Sequence, residues 1–178
     1  FFNGQARVGF SGKFLSEDTN MVIGLLADQL KNPLFAEEDL EKSKKRQTAG
    51  YKRSKESTRG NAMNNMLQAF YGSDHQNSPT NPDQAIEQIK KLTTEDLKKY
   101  HSENYGLGSM VLVVVGDVDH IKMENLIKES FNGWQQSPLK NKEEQKVGNK
   151  VADKVYVTMQ DKTSTDLVVG TALGIDRY

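Results

Sequence analysis

The stretch Asn32–Tyr51, NPLFAEEDLEKSKKRQTAGY, decides how the chain around it folds. Pro33 lacks a backbone N–H and therefore ends the helix that precedes it. The acidic residues Glu37–Asp39 open a second helix, because carboxylates stabilise the positive end of a helix. Ser43 and Gly50 are seven residues apart on this helix, about two turns, and so lie on nearly the same face. Neither carries a carboxylate, which limits the chemistry of this face.

Helices are expected on both sides of this stretch. An apolar stripe at spacings of three and four predicts a helix that begins at a Ser16 cap and ends before Pro33. The stripe consists of Ile23, Leu26, Ala27 and Leu30. The second helix should run from about 36 to 57 and a third from 59 to 71. Residues suited to begin later helices are Asn81 before Pro82, Thr93 with Asp96, and Asp119.

Four segments have the patterns of β-strands. Gln5–Leu15 alternates apolar and polar residues, which predicts a strand with one side in water. Met110–Val115 is short, apolar and β-branched, and predicts a central strand, buried on both faces beside Ala6–Phe14. Two further strands are expected at Lys154–Met159 and Thr165–Leu173. This order of elements predicts an α+β fold with helices packed on a mainly antiparallel β-sheet.

The chain divides into three parts by composition. Residues 1–136 contain most of the predicted elements and form one module. Residues 137–150 are poor in apolar residues and rich in Lys, Glu, Asn and Gln, which is typical of a linker. Residues 151–178 contain a hairpin too short to bury a core alone, and we interpret them as the opening of the next module. We therefore expect the chain to be a fragment of a longer protein.

Composition excludes several classes of function. Lys plus Arg and Asp plus Glu each number 24, so the net charge is zero and gives no overall attraction to nucleic acid or acidic lipid. There is no cysteine, hence no disulfide and no thiolate nucleophile. No apolar run approaches the ~20 residues of a membrane-spanning helix. Composition does not decide the cellular compartment, and either a bacterial periplasm or a cytoplasm would fit.

A run of basic residues is the one strong charge feature. Eight lysines and arginines lie in the span from Lys42 to Arg59, and only Glu56 offsets them there. Such a run is most often the solvated face of a helix. An anion- or nucleic-acid-binding module that uses residues 42–59 stays open as an alternative.

The residues offer no recognisable catalytic or metal site. The three histidines are His75, His101 and His120, and no two lie four residues apart. Neither H-E-x-x-H nor the inverted H-x-x-E-H of zinc peptidases is therefore present. A G-x-S-x-G nucleophile motif and a phosphate-binding glycine loop are also missing. We predict no catalytic residue and no metal ligand in this chain.

Several segments together resemble the second module of the insulinase/pitrilysin family of zinc metallopeptidases. The segments that carry this resemblance are Leu15–Asp18, Leu25–Asp28, Asn32–Phe35, Glu38–Lys42, Phe70–Gly72, Leu92–Leu97 and Val111–Asp119. Residues 154–175 resemble the first strands of the next family repeat, with Asp161–Thr163 and Gly174–Arg177 in the expected style. The likeness covers nearly the whole chain in the family's order and spacing.

The resemblance implies a metallopeptidase half-domain and two such halves that close around a peptide. In an active half, H-x-x-E-H supplies two zinc ligands and the base, and a glutamate on the helix after N-P-x-F supplies the third ligand. Another glutamate precedes that ligand by seven residues. Alignment on Pro33 and Phe35 places these two positions at Ser43 and Gly50, so both are degenerate. The resemblance therefore implies a non-catalytic half, with zinc and proteolysis in the parent protein or a partner half.

The expected partners follow from the same resemblance. They are a catalytic half, in the same protein or in a partner subunit, and a peptide substrate. Exposed sheet edges would also allow a homo-oligomer. This interpretation includes no nucleic acid and no membrane. An alternative is a structural or assembly subunit with the same fold and no proteolysis.

Overall fold

The computed structural model describes residues 2–4, 8–73, 75–137 and 154–171. The chain divides into two compact units. The first unit consists of Phe1–Glu37 and Thr93–Asn141, and the second of Glu38–Leu92 and Lys142–Tyr178.

The described residues form six α-helices and two very short strands. In chain order they are β1 Phe2–Asn3, β2 Val8–Gly9, α1 Thr19–Lys31, α2 Glu37–Lys55, α3 Thr58–Tyr71, α4 Pro82–Lys91, α5 Thr94–Asn104 and α6 His120–Ser130. Short 3-10 turns occupy Ser16–Asp18 and Leu107–Ser109. Among the described helices, none is long and apolar enough to span a membrane.

The core of the first unit lies between α1 and α6, which contact each other. Ile23 and Ala27 on α1 are buried, as are Met123 on α6 and Phe131 just after it. The predicted stripe on α1 therefore faces the core, as an amphipathic helix requires. The Lys31 ammonium donates to the carbonyl oxygens of Ser130 at 3.3 Å and Asn132 at 2.9 Å, which joins the carboxyl ends of the two helices.

An aromatic cluster holds α5 in the first unit. His101 stacks on Tyr105 with ring centroids 5.0 Å apart, and Phe35 meets the same imidazole edge-on at 5.7 Å. The Nε2 atom of His101 lies 2.8 Å from the carbonyl oxygen of Leu30 at the end of α1. Phe35 adopts a positive φ of 47°, a conformation that is rare for a bulky residue. This conformation lies in the Asn32–Phe35 segment that follows α1.

The described part of the second unit contains fewer buried apolar residues than that of the first. Leu40 on α2 and Ala85 and Ile86 on α4 are buried. The predicted apolar side of α3 is only half-buried, and Met63 is exposed. No residue of α3 is fully buried.

Residues 154–171 lie along α3. The Thr58 hydroxyl donates to the Asp166 carboxylate, and the Lys162 ammonium lies 2.9 Å from Glu56 Oε2. Gly170 lies against α3 so closely that an added Cβ would stand 2.7 Å from the sulfur of Met66. No strand pairing involves these residues within the described part of the chain. The linker assigned to 137–150 lies outside the described residues except for Ser137.

The predicted helix starts are mostly correct. The Asn81 side chain accepts from the backbone N–H of Asp83 at 2.9 Å, directly before Pro82. Thr93 and Asp96 form the complete capping box. Asp119 caps α6 through the N–H groups of residues 121 and 122. Ser16 is the exception, because it begins the 3-10 turn and its carbonyl accepts from the Thr19 hydroxyl at 2.7 Å.

The predicted fold class is wrong. The structure is mainly helical, and the described residues contain only one two-stranded ladder, with Phe2 opposite Gly9 and Asn3 opposite Val8. Within this described part of the chain, no antiparallel sheet underlies the helices. Ala6, one end of the predicted first strand, lies outside the described residues, and Phe10 and Phe14 are exposed.

Met110–Val115 shows why the sheet prediction failed. The run forms no strand, and Val111, Val113 and Val115 are 87%, 76% and 90% exposed. The alternate residues 110, 112 and 114 are half-buried. β-Branched residues favour a strand locally, but a strand forms only where another segment accepts its hydrogen bonds, and the described residues provide none. The predicted buried position of Val113 is therefore also wrong.

Candidate functional site

Helix α2 contains both positions that the family resemblance singled out. Ser43 and Gly50 are half-buried on this helix. The Ser43 hydroxyl lies 3.3 Å from the guanidinium of Arg46 and accepts from it. A Cβ added at Gly50 would meet nothing within 4 Å. These positions thus offer one hydroxyl and an open space.

The surroundings of the three histidines differ from those of metal ligands. The ring of His75 stacks on Tyr71 at 4.5 Å, and its Nδ1 accepts from the backbone N–H of Asn77 at 3.0 Å. His101 belongs to the aromatic cluster of the first unit, and His120 is the first residue of α6. Across residues 2–4, 8–73, 75–137 and 154–171 there is no group of three His, Asp or Glu side chains that could hold a metal. The described donor set does not fit a zinc site.

The shifted pKa values have structural causes. The pKa of Asp96 is lowered because the carboxylate accepts hydrogen bonds from the Thr93 hydroxyl and backbone N–H. Hydrogen bonds from Lys162, Lys90 and Lys128 lower the pKa values of Glu56, Glu87 and Glu124 respectively. Burial raises the pKa of Tyr105. Shifted groups often mark catalytic sites, but a helix cap and surface ion pairs explain the lowered values here.

A groove on the second unit gathers lysines from two helices. It has a volume of about 360 Å³ and runs along α2 at Lys44, Lys45 and Lys52, with Lys90 of α4 at its edge. Thr48 and Ala49 also line it. The sequence predicted a basic surface on residues 42–59, and this stretch spans the end of α2 at Lys55 and the start of α3 at Thr58. Lys90 was missed, because nothing in its local sequence places it beside α2.

Comparison with known proteins supports the family resemblance over somewhat less than half of the chain, from the end of α4 onward. Residues 91–172 match the family model described as the Peptidase M16 inactive domain. Residues 91–172 of this chain are therefore similar to the inactive domain of M16 peptidases. The predicted resemblance to this group of zinc peptidases is confirmed.

Two relatives extend the likeness beyond the matched domain. A Rickettsia felis protein named "Uncharacterized zinc protease" is 24% identical over 142 residues, which are 79% of this chain and 34% of the relative. Subunit 1 of the mitochondrial cytochrome b-c1 complex of Bos taurus is 29% identical over 122 residues, which are 68% of this chain and 25% of the relative. The chain thus spans about a third or less of the length of these two relatives. No solved structure gives a significant match.

Proposed function

We propose that this chain is a non-catalytic part of an M16 zinc peptidase, where it forms part of the wall of a peptide-enclosing chamber and supports an active half. The match of residues 91–172 to the inactive domain carries this proposal. The serine and the glycine at the two degenerate positions, Ser43 and Gly50, support it, because neither can bind zinc. Zinc and the water-activating base would belong to the parent or partner half, as the name of the Rickettsia relative suggests.

The proposal assigns no catalytic step to this chain. Residues 1–136 would form the second module of the inactive half, 137–150 a linker, and 151–178 the beginning of the following module. The partners would be the catalytic half and the peptide that it cleaves. Association of copies through exposed strand edges also stays a prediction.

Three measurements test the proposal. Metal analysis of the dialysed chain should find no stoichiometric zinc, and the chain alone should hydrolyse no peptide. Added to an M16 catalytic half that lacks its inactive half, the chain should raise kcat/KM for peptide cleavage. One tightly bound zinc per chain, or cleavage by the chain alone that a chelator abolishes, would contradict the proposal.

One observation favours a second candidate, a structural subunit without proteolysis. The bovine relative is named as a subunit of the cytochrome b-c1 complex. In that case the chain would bind its partner subunits and leave kcat/KM of a catalytic half unchanged. The nucleic-acid alternative on residues 42–59 has no support beyond the charge of those residues.

A further inference from the structure

The lysines of α2 differ in whether they have an acidic partner. Lys42 pairs with Glu38 at 2.7 Å, and Lys44 with Glu41 at 2.8 Å. Lys45 and Lys52 are exposed, and no acidic group of the described chain pairs with either. Since both line the groove, its α2 side presents two ammonium groups available to a ligand.

Lys90 adds a third charge from another helix. Its partner Glu87 lies on the same helix at 2.7 Å, and both side chains are about 60% exposed (59% and 61%). An exposed pair of this kind contributes ~0–1 kcal/mol and exchanges readily for another anion. Glu41 also lines the groove, but its carboxylate forms an ion pair with Lys44. The groove is therefore a concave surface with an excess of positive charge, which raises the local concentration of anions.

The spacing of the lysines fits an extended peptide. Lys45 and Lys52 are separated by seven helical residues, about 10 Å along the axis at ~1.5 Å per residue. A chain in the extended polyproline II conformation has three residues per turn and rises ~3.1 Å per residue, so carboxylates three residues apart lie on one face and about 9 Å apart. Thr48 and Ala49, which have small side chains, lie between the two lysines on α2 and also line the groove.

Other anions fit this arrangement less well. None of the described residues that line the groove is aromatic, so none of them offers a ring on which nucleic-acid bases could stack. A single phosphate is bound best by donors that converge on one point, whereas these lysines are spread over two helical turns. Lysine ammonium groups are point charges that can bind carboxylates in many orientations. We propose that the groove formed by Lys45, Lys52 and Lys90 binds acidic segments of peptides, with Asp or Glu three residues apart.

This inference rests on the proposed function in one respect, that the bound peptide is a substrate held against the chamber wall. It names the class of substrate that the wall would select. The binding itself depends only on the groove and can be measured without a catalytic half.

The direct test measures binding to the whole 178-residue chain by fluorescence anisotropy. The probe is a short labelled peptide with two glutamates three residues apart and no other charge. We expect binding that weakens with added salt, because salt screens exposed charges. Lys45→Glu with Lys52→Glu should weaken binding by about tenfold or more.

A matched control carries the same change of charge elsewhere. Lys98→Glu with Lys122→Glu alters two exposed helical lysines of the first unit and should leave the affinity within about twofold of the unaltered chain. Circular dichroism establishes that each variant is folded. If the double Glu variant does not fold, Lys45→Gln with Lys52→Gln replaces it and should also weaken binding.

Three results would overturn the inference. The first is equal binding by the groove variant and the control variant. The second is equal binding of a peptide in which both glutamates are glutamine. The third is that tripolyphosphate or single-stranded DNA binds at the same lysines more tightly than the acidic peptide.

Cleavage by the catalytic half separates this inference from the proposed function. If the chain raises cleavage but the groove variants bind the acidic peptide normally, the groove inference alone fails. If the acidic peptide binds at the groove but the chain does not raise cleavage, the chamber role fails and the groove remains as a peptide site. If both hold, the groove variants should lower kcat/KM for acidic peptides and not for neutral ones.

Discussion

Helices α1 and α2 use their residues in opposite ways. The shorter helix, α1, buries Ile23 and Ala27 and contacts α6. The longer α2, all of whose residues the structure describes, buries only Leu40 and exposes lysines along its length. Buried apolar area is the main source of folding free energy, so α1 and α6 stabilise their unit more than α2 stabilises its own. A surface helix with little core to maintain can instead carry charges for binding.

The largest expected effect is on the α1–α6 core. Phe131 is 2% exposed, so Phe131→Ala should lower the free energy of unfolding by about 3–5 kcal/mol through lost burial and a cavity. Urea denaturation measures this change. Val111→Ala is the control, because Val111 is 87% exposed and should change stability by less than ~0.5 kcal/mol. Similar losses for the two variants would break the contrast between core and surface.

The next largest effect is expected from a substitution at Gly106, where two backbone segments of the first unit lie close together. Leu107 N–H donates to the Gln135 carbonyl at 3.0 Å, and a Cβ added at Gly106 would stand 2.5 Å from that carbonyl oxygen. Gly106→Ala should therefore cost about 1–3 kcal/mol, as overpacking does elsewhere. Thermal denaturation measures it. An unchanged melting temperature would show that residues 135–137 can move away without loss.

Gly50→Ala on α2 should stabilise the chain, in contrast to the two substitutions above. The position is helical, and an added Cβ meets nothing within 4 Å. Alanine should thus raise the free energy of unfolding by about 0.5–1 kcal/mol, because glycine loses more backbone entropy in a helix. Chemical denaturation tests the sign. A loss of stability would mean that Gly50 is required for packing, and the comparison of α1 with α2 would have to be revised.

The smallest effect concerns the capping box of α5. The folded pKa of Asp96 lies below its ordinary value of 3.8, so this carboxylate stabilises the fold above that pH. The contribution is lost as the pH falls through the lowered pKa. Asp96→Asn should accordingly destabilise the chain at neutral pH, and the difference from the unaltered chain should shrink in acid. Glu103→Gln on the exposed side of α5 is the control and should show a smaller pH-dependent difference.

The helices and most of their starts could be predicted from local sequence. Asn81 with Pro82, Thr93 with Asp96, and Asp119 act through hydrogen bonds to residues two or three positions away. Ser16 was wrongly predicted to cap α1. The same residue types occur at helix caps and at the start of 3-10 turns, so local sequence does not distinguish the two. The ends of α2 were placed within about two residues, which is the usual uncertainty of helix boundaries.

The residues of the candidate site also differ in whether local sequence could place them. Ser43 and Gly50 could be placed on one helix from their spacing alone, and their interpretation as degenerate positions comes from the family resemblance. Arg46 as the partner of Ser43 could be anticipated, since residues three apart on a helix are neighbours. Lys90 could not, because it lies nearly forty residues from Lys52 in sequence.

The amino-acid sequence by itself determined the helices, their caps, the spacing of the two degenerate positions and the family resemblance. The physical reason is that a helix satisfies its hydrogen bonds within four residues. Only the tertiary structure decided that Met110–Val115 has no partner strand among the described residues, that His101 packs between Phe35 and Tyr105, and that Lys90 joins the α2 groove. These contacts join residues distant in sequence, and local propensity carries no information about which distant segment will be the neighbour.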